Sequence, residues 1–251
     1  MRQIFSSILL ITAFFAFGCS IVPFCSSQKK PPRRSLDIQR VLDNAKDGST
    51  ITIPFGEYCL SDGLVIKDRK NLIITSQSGT RILVKDVKAD VVSILQSEEI
   101  SINNLHLRHV NPLEEYQCHG AVIRVKDSND ILIRNCELNG CGAIGVSSWS
   151  SKNVIVRNCH IHHNTFNAFY FQSCADIKIQ SSVVEDNGNF IQMYNTRSLE
   201  MRDNVIRRNG GYWKGRLDHS PGLMKELSNH GILEIYSRPL TRCGRTFAET
   251  S

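Results

Sequence analysis

The chain has 251 residues, 41% of them apolar and 22% charged, which suits one large domain or two small ones with an ample core and excludes a disordered chain. Five basic groups (Arg2, Lys29, Lys30, Arg33, Arg34) fall in residues 1–34, which hold no acid, and residues 35–251 carry 25 basic and 24 acidic groups, so most of the formal charge of +6 is local. A near-neutral body excludes a large nucleic-acid footprint, which needs clustered cations, and no apolar run after residue 25 is long enough to span a bilayer.

Residues 1–18 have the pattern of a signal peptide. Arg2 precedes an apolar run from Ile4 to Phe17, short for a transmembrane helix. Ala16 and Gly18 place small residues at the −3 and −1 positions before Cys19. The same stretch resembles a loose bacterial lipobox with Cys19 as the lipidated residue, although Ala16 stands where Leu is common and Phe17 is bulky. The expectation is an exported protein, whether periplasmic, cell-surface or secreted, that meets a membrane only through this segment. Simple cleavage, lipidation of Cys19 and retention as an uncleaved anchor are the open alternatives. Residues 19–34 suit an extended tether, in which Ser26 to Arg34 has no apolar period.

From Leu36 the pattern becomes helical: Ile38, Val41, Leu42 and Ala45 share one face. Ser35 is the expected cap and Gly48 the expected stop. Such a helix would cover the open end of whatever sheet follows.

After residue 50, apolar pairs at period two recur: Ile51/Ile53, Leu72/Ile74, Ile100/Ile102, Ile131/Ile133, Val154/Val156, Ile177/Ile179 and Leu199/Met201. Their spacing settles at 22 or 23 residues. Six residues before most of them ends another pair: Leu64/Ile66, Val92/Ile94, Ile123/Val125, Phe169/Phe171, Ile191/Met193. The coil with Ile144/Val146 departs, with a gap of eight. A third strand follows most pairs: Leu105/Leu107, Cys136/Leu138, Cys159/Ile161, Ser182/Val184, Asn204/Ile206. Three short strands in about 22 residues exclude a helical repeat and a four-stranded propeller blade, and predict a stack of coils, each burying its apolar side against the next.

The bend between second and third strands falls at Asn104, Asn135, Asn158, Ser181 and Asp203. Asn tolerates the left-handed conformation, and amides stacked about 4.8 Å apart are expected to bond in a ladder. On these residues the sequence resembles the right-handed parallel β-helix family, typified by pectate lyases, over about residues 36–209. The resemblance implies an all-β, single-stranded right-handed parallel β-helix of about seven coils with an N-terminal capping helix. Gly48 to Tyr58 looks like the family's usual first rung. The expected domain is 35–236, with Gly231 to Tyr236 as one more first strand and 237–251 as an irregular tail.

Strand alternation puts Ser93/Leu95, Arg124/Lys126, Gly145/Ser147, Tyr170/Gln172 and Gln192/Tyr194 outward on the first strand. In the family's lyases and hydrolases this face forms the sugar groove, so the resemblance implies a polysaccharide partner. Insertions at His109–His119 and at Ser147–Ser151 would raise its flanks. Trp149, Tyr170 and Tyr194 are candidate sugar platforms, with Gln172 and Gln192 as further contacts. Arg124 and Lys126 are candidates to meet acidic sugars. For elimination, Arg124 or Lys126 is the candidate base and Tyr170 the candidate acid. These outward positions hold no Asp or Glu, so a paired-carboxylate hydrolase site is not visible.

On the third strand the outward columns run His106, Glu137, His160, Val183 and Arg108, Asn139, His162, Glu185. His106, Glu137 and His160 on successive coils are candidate ligands for a divalent metal, zinc or copper, a spacing compatible with the family's copper-linked periplasmic members. His160 and His162 lie on one face about 7 Å apart by strand rise. The alternative role to glycan recognition is therefore a non-catalytic surface or periplasmic scaffold binding a protein or metal. Cys136 and Cys159 suit a buried thiol stack, while Cys118 and Cys141 are the better disulfide candidates. Asn164, Asn187 and Asn209 suit a second, structural ladder.

Overall fold

The computed structural model describes residues 32–110, 119–139 and 143–209. Within them the chain winds as a parallel β-solenoid. Ile38–Asn44 forms the single described helix. Its cap is Asp37, not Ser35: the Asp37 carboxylate accepts from the Arg40 amide at 3.0 Å, because the helix begins two residues later than the apolar pattern suggested. Ile38 and Leu42 are buried, while Val41 is 37% exposed and lies off the packed face.

The six first strands are Leu64–Lys67, Val92–Leu95, Ala121–Lys126, Ile144–Trp149, Asn167–Gln172 and Ile191–Tyr194, paired in that order in one parallel sheet. Second and third strands form the other sheet. In the early rungs they are continuous, as Lys70–Val84 and Glu98–His109; later they separate, as in Lys152–Arg157 and His160–His162. The described residues thus make about six turns, after a partial first rung of Thr50–Ile53 and Glu57–Leu60. The seventh expected strand, Gly231 to Tyr236, lies outside them, as do the signal, Cys19 and the tail.

The period-two pairs line the interior. Ile133 and Ile177 are fully buried. The coil with the gap of eight is regular after all. Val146 pairs with Ile123 and Phe169, and Ser148 with Val125 and Phe171. The inward pair is therefore Val146/Ser148. Ser148 is fully buried, and its hydroxyl accepts from the Cys174 thiol at 3.4 Å, which is how a polar side chain occupies an apolar column.

At three corners per turn a residue with positive φ turns the chain, and where Ser128, Ser151, Ser182, Asn187 or Asn209 comes next, its side chain accepts a backbone N–H from the preceding rung. At the first corner Gln96, Asp127 and Ser150 have φ of 49°, 50° and 48°. The hydroxyls that follow them stack: the Ser97 amide donates to Ser128 Oγ (3.0 Å) and the Ser128 amide to Ser151 Oγ (3.2 Å). At the bend, Asn104, Asn135, Asn158, Ser181 and Asp203 all have φ between 50° and 58°, as the sequence required. Their amides do not form the expected continuous ladder: among the described residues the one step is Asn135 Nδ2 to Asn104 Oδ1, 3.1 Å. The continuous amide ladder is at the third corner. There His163, Asp186 and Arg208 take the positive φ, and Asn164, Asn187 and Asn209 turn inward. Asn164 Nδ2 donates to Asn187 Oδ1 (2.9 Å) and Asn187 Nδ2 to Asn209 Oδ1 (2.8 Å). Cys136 and Cys159 are buried and free, whereas Cys118 and Cys141 fall outside the described residues.

At the N-terminal edge, Gln39 acts as a piece of β-strand. Its amide nitrogen donates to the Val65 carbonyl and its oxygen accepts from the Val65 N–H, both at 2.9 Å. This satisfies part of an edge that would otherwise invite pairing with another chain.

Candidate functional site: two side-chain faces

The first-strand sheet carries two outward columns in strict register. One runs Ser93, Arg124, Ser147, Tyr170, Gln192; the other Leu95, Lys126, Trp149, Gln172, Tyr194. Trp149 belongs to the strand itself. The expected flanking insertion is absent, because Ser150 takes φ of 48° and turns the corner immediately. Most of the other flank, residues 111–118, lies outside the described residues.

The three aromatic side chains alternate between the columns and meet along the solenoid axis. Trp149 stacks on Tyr170 with centroids 5.4 Å apart, and Tyr170 meets Tyr194 at 5.8 Å with the planes tilted by 49°. Each ring therefore turns part of a face to its neighbour. Tyr194, 39% exposed, ends the described row. The polar atoms are satisfied locally. Trp149 Nε1 donates to Ser147 Oγ (3.0 Å) and the Tyr170 hydroxyl to Gln172 Oε1 (2.8 Å). Gln192 Nε2 bonds the Tyr194 hydroxyl. Burial pushes the Tyr170 hydroxyl above its ordinary value, with Tyr194 adding to it.

Arg124 and Lys126 part company. The Arg124 guanidinium grips Asp90 through Nε (2.5 Å) and a terminal nitrogen (2.9 Å). Asp90 also accepts from the Ser93 hydroxyl and the Ala121 amide. Held this way, Arg124 clamps the preceding corner. Asp90 is the acid that strand alternation alone did not find: it lies outside the strand and reaches in from the corner. Lys126 is exposed, stands in register with Trp149, and makes no ion pair among the described residues. Around the first corner, a hollow of about 430 Å³ opens between Lys152 and Arg197, where Ala175 offers little side chain.

The third-strand face gathers charge. His106, Glu137 and His160 are in register as expected, but they do not share a centre. His106 Nδ1 lies 3.2 Å from Glu137 Oε2, while His160 Nε2 turns to Glu185 Oε1 at 3.0 Å. Glu185 sits one rung further on and is also held by Arg207 and Arg208, each at 2.6 Å. Among the described residues, no group of three or more His, Cys, Asp or Glu side chains is placed to hold a metal ion. The His160 and His162 rings stack at 4.0 Å, closer than the strand rise because both side chains lean together. His162 Nε2 lies 3.4 Å from Glu137 Oε1, near enough for attraction but poorly aligned for a hydrogen bond.

Burial opposes the charge on Glu137, but His162 and His106 outweigh it and hold the carboxyl at about 2. Burial likewise opposes ionisation of Glu185, where Arg207 and His160 prevail and hold it at about 2.

The family model for the right handed beta helix region matches residues 89–232, more than half of the chain. Among solved structures, a candidate glycosyl hydrolase from Parabacteroides merdae superposes with a TM-score of 0.58 at 15% identity, over 70% of this chain and 91% of that one. ORF18 of Geobacillus virus E2 superposes with a TM-score of 0.53 at 11% identity, over 72% of this chain and 40% of that one. No curated protein matches the sequence. At these identities the likeness is one of fold.

Proposed function

The chain belongs to the right-handed β-helix family, and on that footing we propose that it is an exported protein whose first-strand face recognises a polysaccharide. The observation that carries the reading is the row of Trp149, Tyr170 and Tyr194, alternating with Gln172 and Gln192 between two in-register columns, across three successive rungs. Aromatic rings beside amides suit the mixed apolar and hydroxyl surface of a sugar. The fold shared with the Parabacteroides protein agrees with this reading. Export rests on the apolar run of residues 4–17.

Binding is favoured over cleavage on this face. Arg124 is occupied by Asp90, and the Tyr170 hydroxyl donates to Gln172. Of the two candidate cations, Lys126 is the one left to meet a carboxylate or to act as a base. Glycan-array binding of the wild type and two variants tests the reading. Tyr194→Ala should weaken neutral and acidic glycans alike, since ring contacts ignore charge. Lys126→Ala should weaken acidic glycans only, with an effect that shrinks in high salt. Wild-type silence on every glycan, or identical profiles for all three proteins, would remove sugar recognition.

A further inference from the structure

Four imidazoles crowd the third-strand face: His106, His160, His162 and the corner residue His163. The contact between two of them constrains their protons. His162 Nδ1 and His163 Nδ1 are 2.7 Å apart, so one donates and the other accepts. His162 Nε2 faces the Glu137 carboxylate, which favours a proton on Nε2 and leaves Nδ1 as the acceptor. His163 Nδ1–H therefore donates to His162 Nδ1. A second proton on His162 has only that Nδ1 to occupy, where it would confront the donor of His163. The same proton would also place charge against His160, whose ring is stacked at 4.0 Å.

The surrounding anions are already engaged. Glu185 is shared by His160, Arg207 and Arg208, and Asp186 is held by Arg208 at 2.7 Å. Glu137 is shared by His106 and His162. Arg81, in register with His106, faces Glu57, and Arg108 directs its Nε to the His109 carbonyl. With the imidazoles neutral, Glu137, Glu185 and Asp186 against Arg207 and Arg208 leave one net negative charge. Four added protons leave three net positive charges on the same small surface. The corner that bears them is where the ladder starts among the described residues: His163 takes the positive φ and Asn164 follows it inward.

We propose that this face is an acid-responsive seam, in which protonation of His106, His160, His162 and His163 breaks the His162–His163 bond and loosens the third corner while the first-strand sheet stays formed. Each step adds a proton to a ring nitrogen and needs no other reactant. Burial holds His106, His160 and His163 below the ordinary imidazole value, against the pull of Glu137 on His106, of Glu185 on His160, and of Asp186 and then Glu185 on His163. A group lowered in the folded state contributes its stability above that ordinary value and loses it as pH falls below it. The direction is therefore destabilisation in acid.

The experiment uses the full chain. Between about pH 7.5 and about pH 5 the thermal midpoint of the wild type should fall, and that of His160→Gln/His162→Gln should fall by less than half as much. Protection of the Asn164 and Asn187 amides should drop over the same range, while that of Phe169 and Phe171 holds. NMR titration of the wild-type imidazoles gives a second readout that needs no variant, repeated with a chelator. Midpoints of His106, His160 and His163 at or above the free-imidazole value, equal losses in wild type and double variant, or a titration displaced by the chelator would each overturn the proposal.

Discussion

The second and third corners of the solenoid both use asparagine, yet the two sets of residues do different work. At the bend, Asn135 and Asn158 themselves take the positive φ (55° and 52°) and lie exposed. At the third corner that conformation falls to His163, Asp186 and Arg208, and the Asn that follows is turned into the core. An asparagine at the first site is chosen for its backbone. At the second it is chosen for its amide, which satisfies buried groups on two rungs at once.

Asn187→Ala probes that difference with the largest expected effect. The Asn187 oxygen accepts from the Asn164 backbone and side-chain nitrogens, and its nitrogen donates to the Ile161 and Glu185 carbonyls and to Asn209. Alanine would leave several buried groups unpaired, at a cost of about 2–4 kcal/mol. Urea unfolding of the two proteins measures it. A loss no greater than that of Asn158→Ala would mean that water replaces the ladder, and the two corners would then be alike.

What the sequence disclosed follows from this physics. Period-two apolar pairs mark strands because burying an apolar side chain needs nothing but a neighbour. Ile133, Ile177, Phe169 and Phe171 were legible for that reason. Ser97, Ser128, Ser151 and Ser148 were not, since a buried hydroxyl looks like a surface residue until the rung that bonds it is known. The usable signal was positional: a serine directly after a left-handed residue, as in Asp127-Ser128, Ser150-Ser151 and Ser181-Ser182. On the first-strand face, alternation placed Arg124, Tyr170 and Tyr194 correctly. The Asp90 clamp was hidden because its partner comes from a corner 34 residues earlier. The His106, Glu137 and His160 column was likewise read in register. The turn of His160 toward Glu185 depends on side-chain torsions, which strand spacing does not fix.

Asn158→Ala should have a smaller effect, about 1 kcal/mol, the cost of placing a β-carbon in the left-handed region. The backbone bond from Asn158 to the Gln180 carbonyl, 3.0 Å, survives the change. Asn158→Gly should accordingly recover most of the loss, since glycine enters that region freely. At Asn187 the same glycine should recover nothing. A glycine that rescues both sites, or neither, would erase the distinction between a backbone role and an amide role.

The smallest effect lies within the bend itself. Asn135 and Asn158 share φ to within a few degrees and both are exposed, but Asn135 adds one bond, its Nδ2 to Asn104 Oδ1 at 3.1 Å. An exposed amide–amide bond competes with water, so it contributes about 0.5 kcal/mol at most. Asn135→Ala should therefore exceed Asn158→Ala by that small margin. The Asn104→Ala/Asn135→Ala double-mutant cycle separates the bond from the two backbone costs, because each single change removes the bond while the φ cost adds independently. A coupling energy near zero would leave the bend governed by backbone conformation alone. A coupling above about 1 kcal/mol would mean that exposed amide ladders stabilise this solenoid as the buried one does, and the contrast between the two corners would be one of degree.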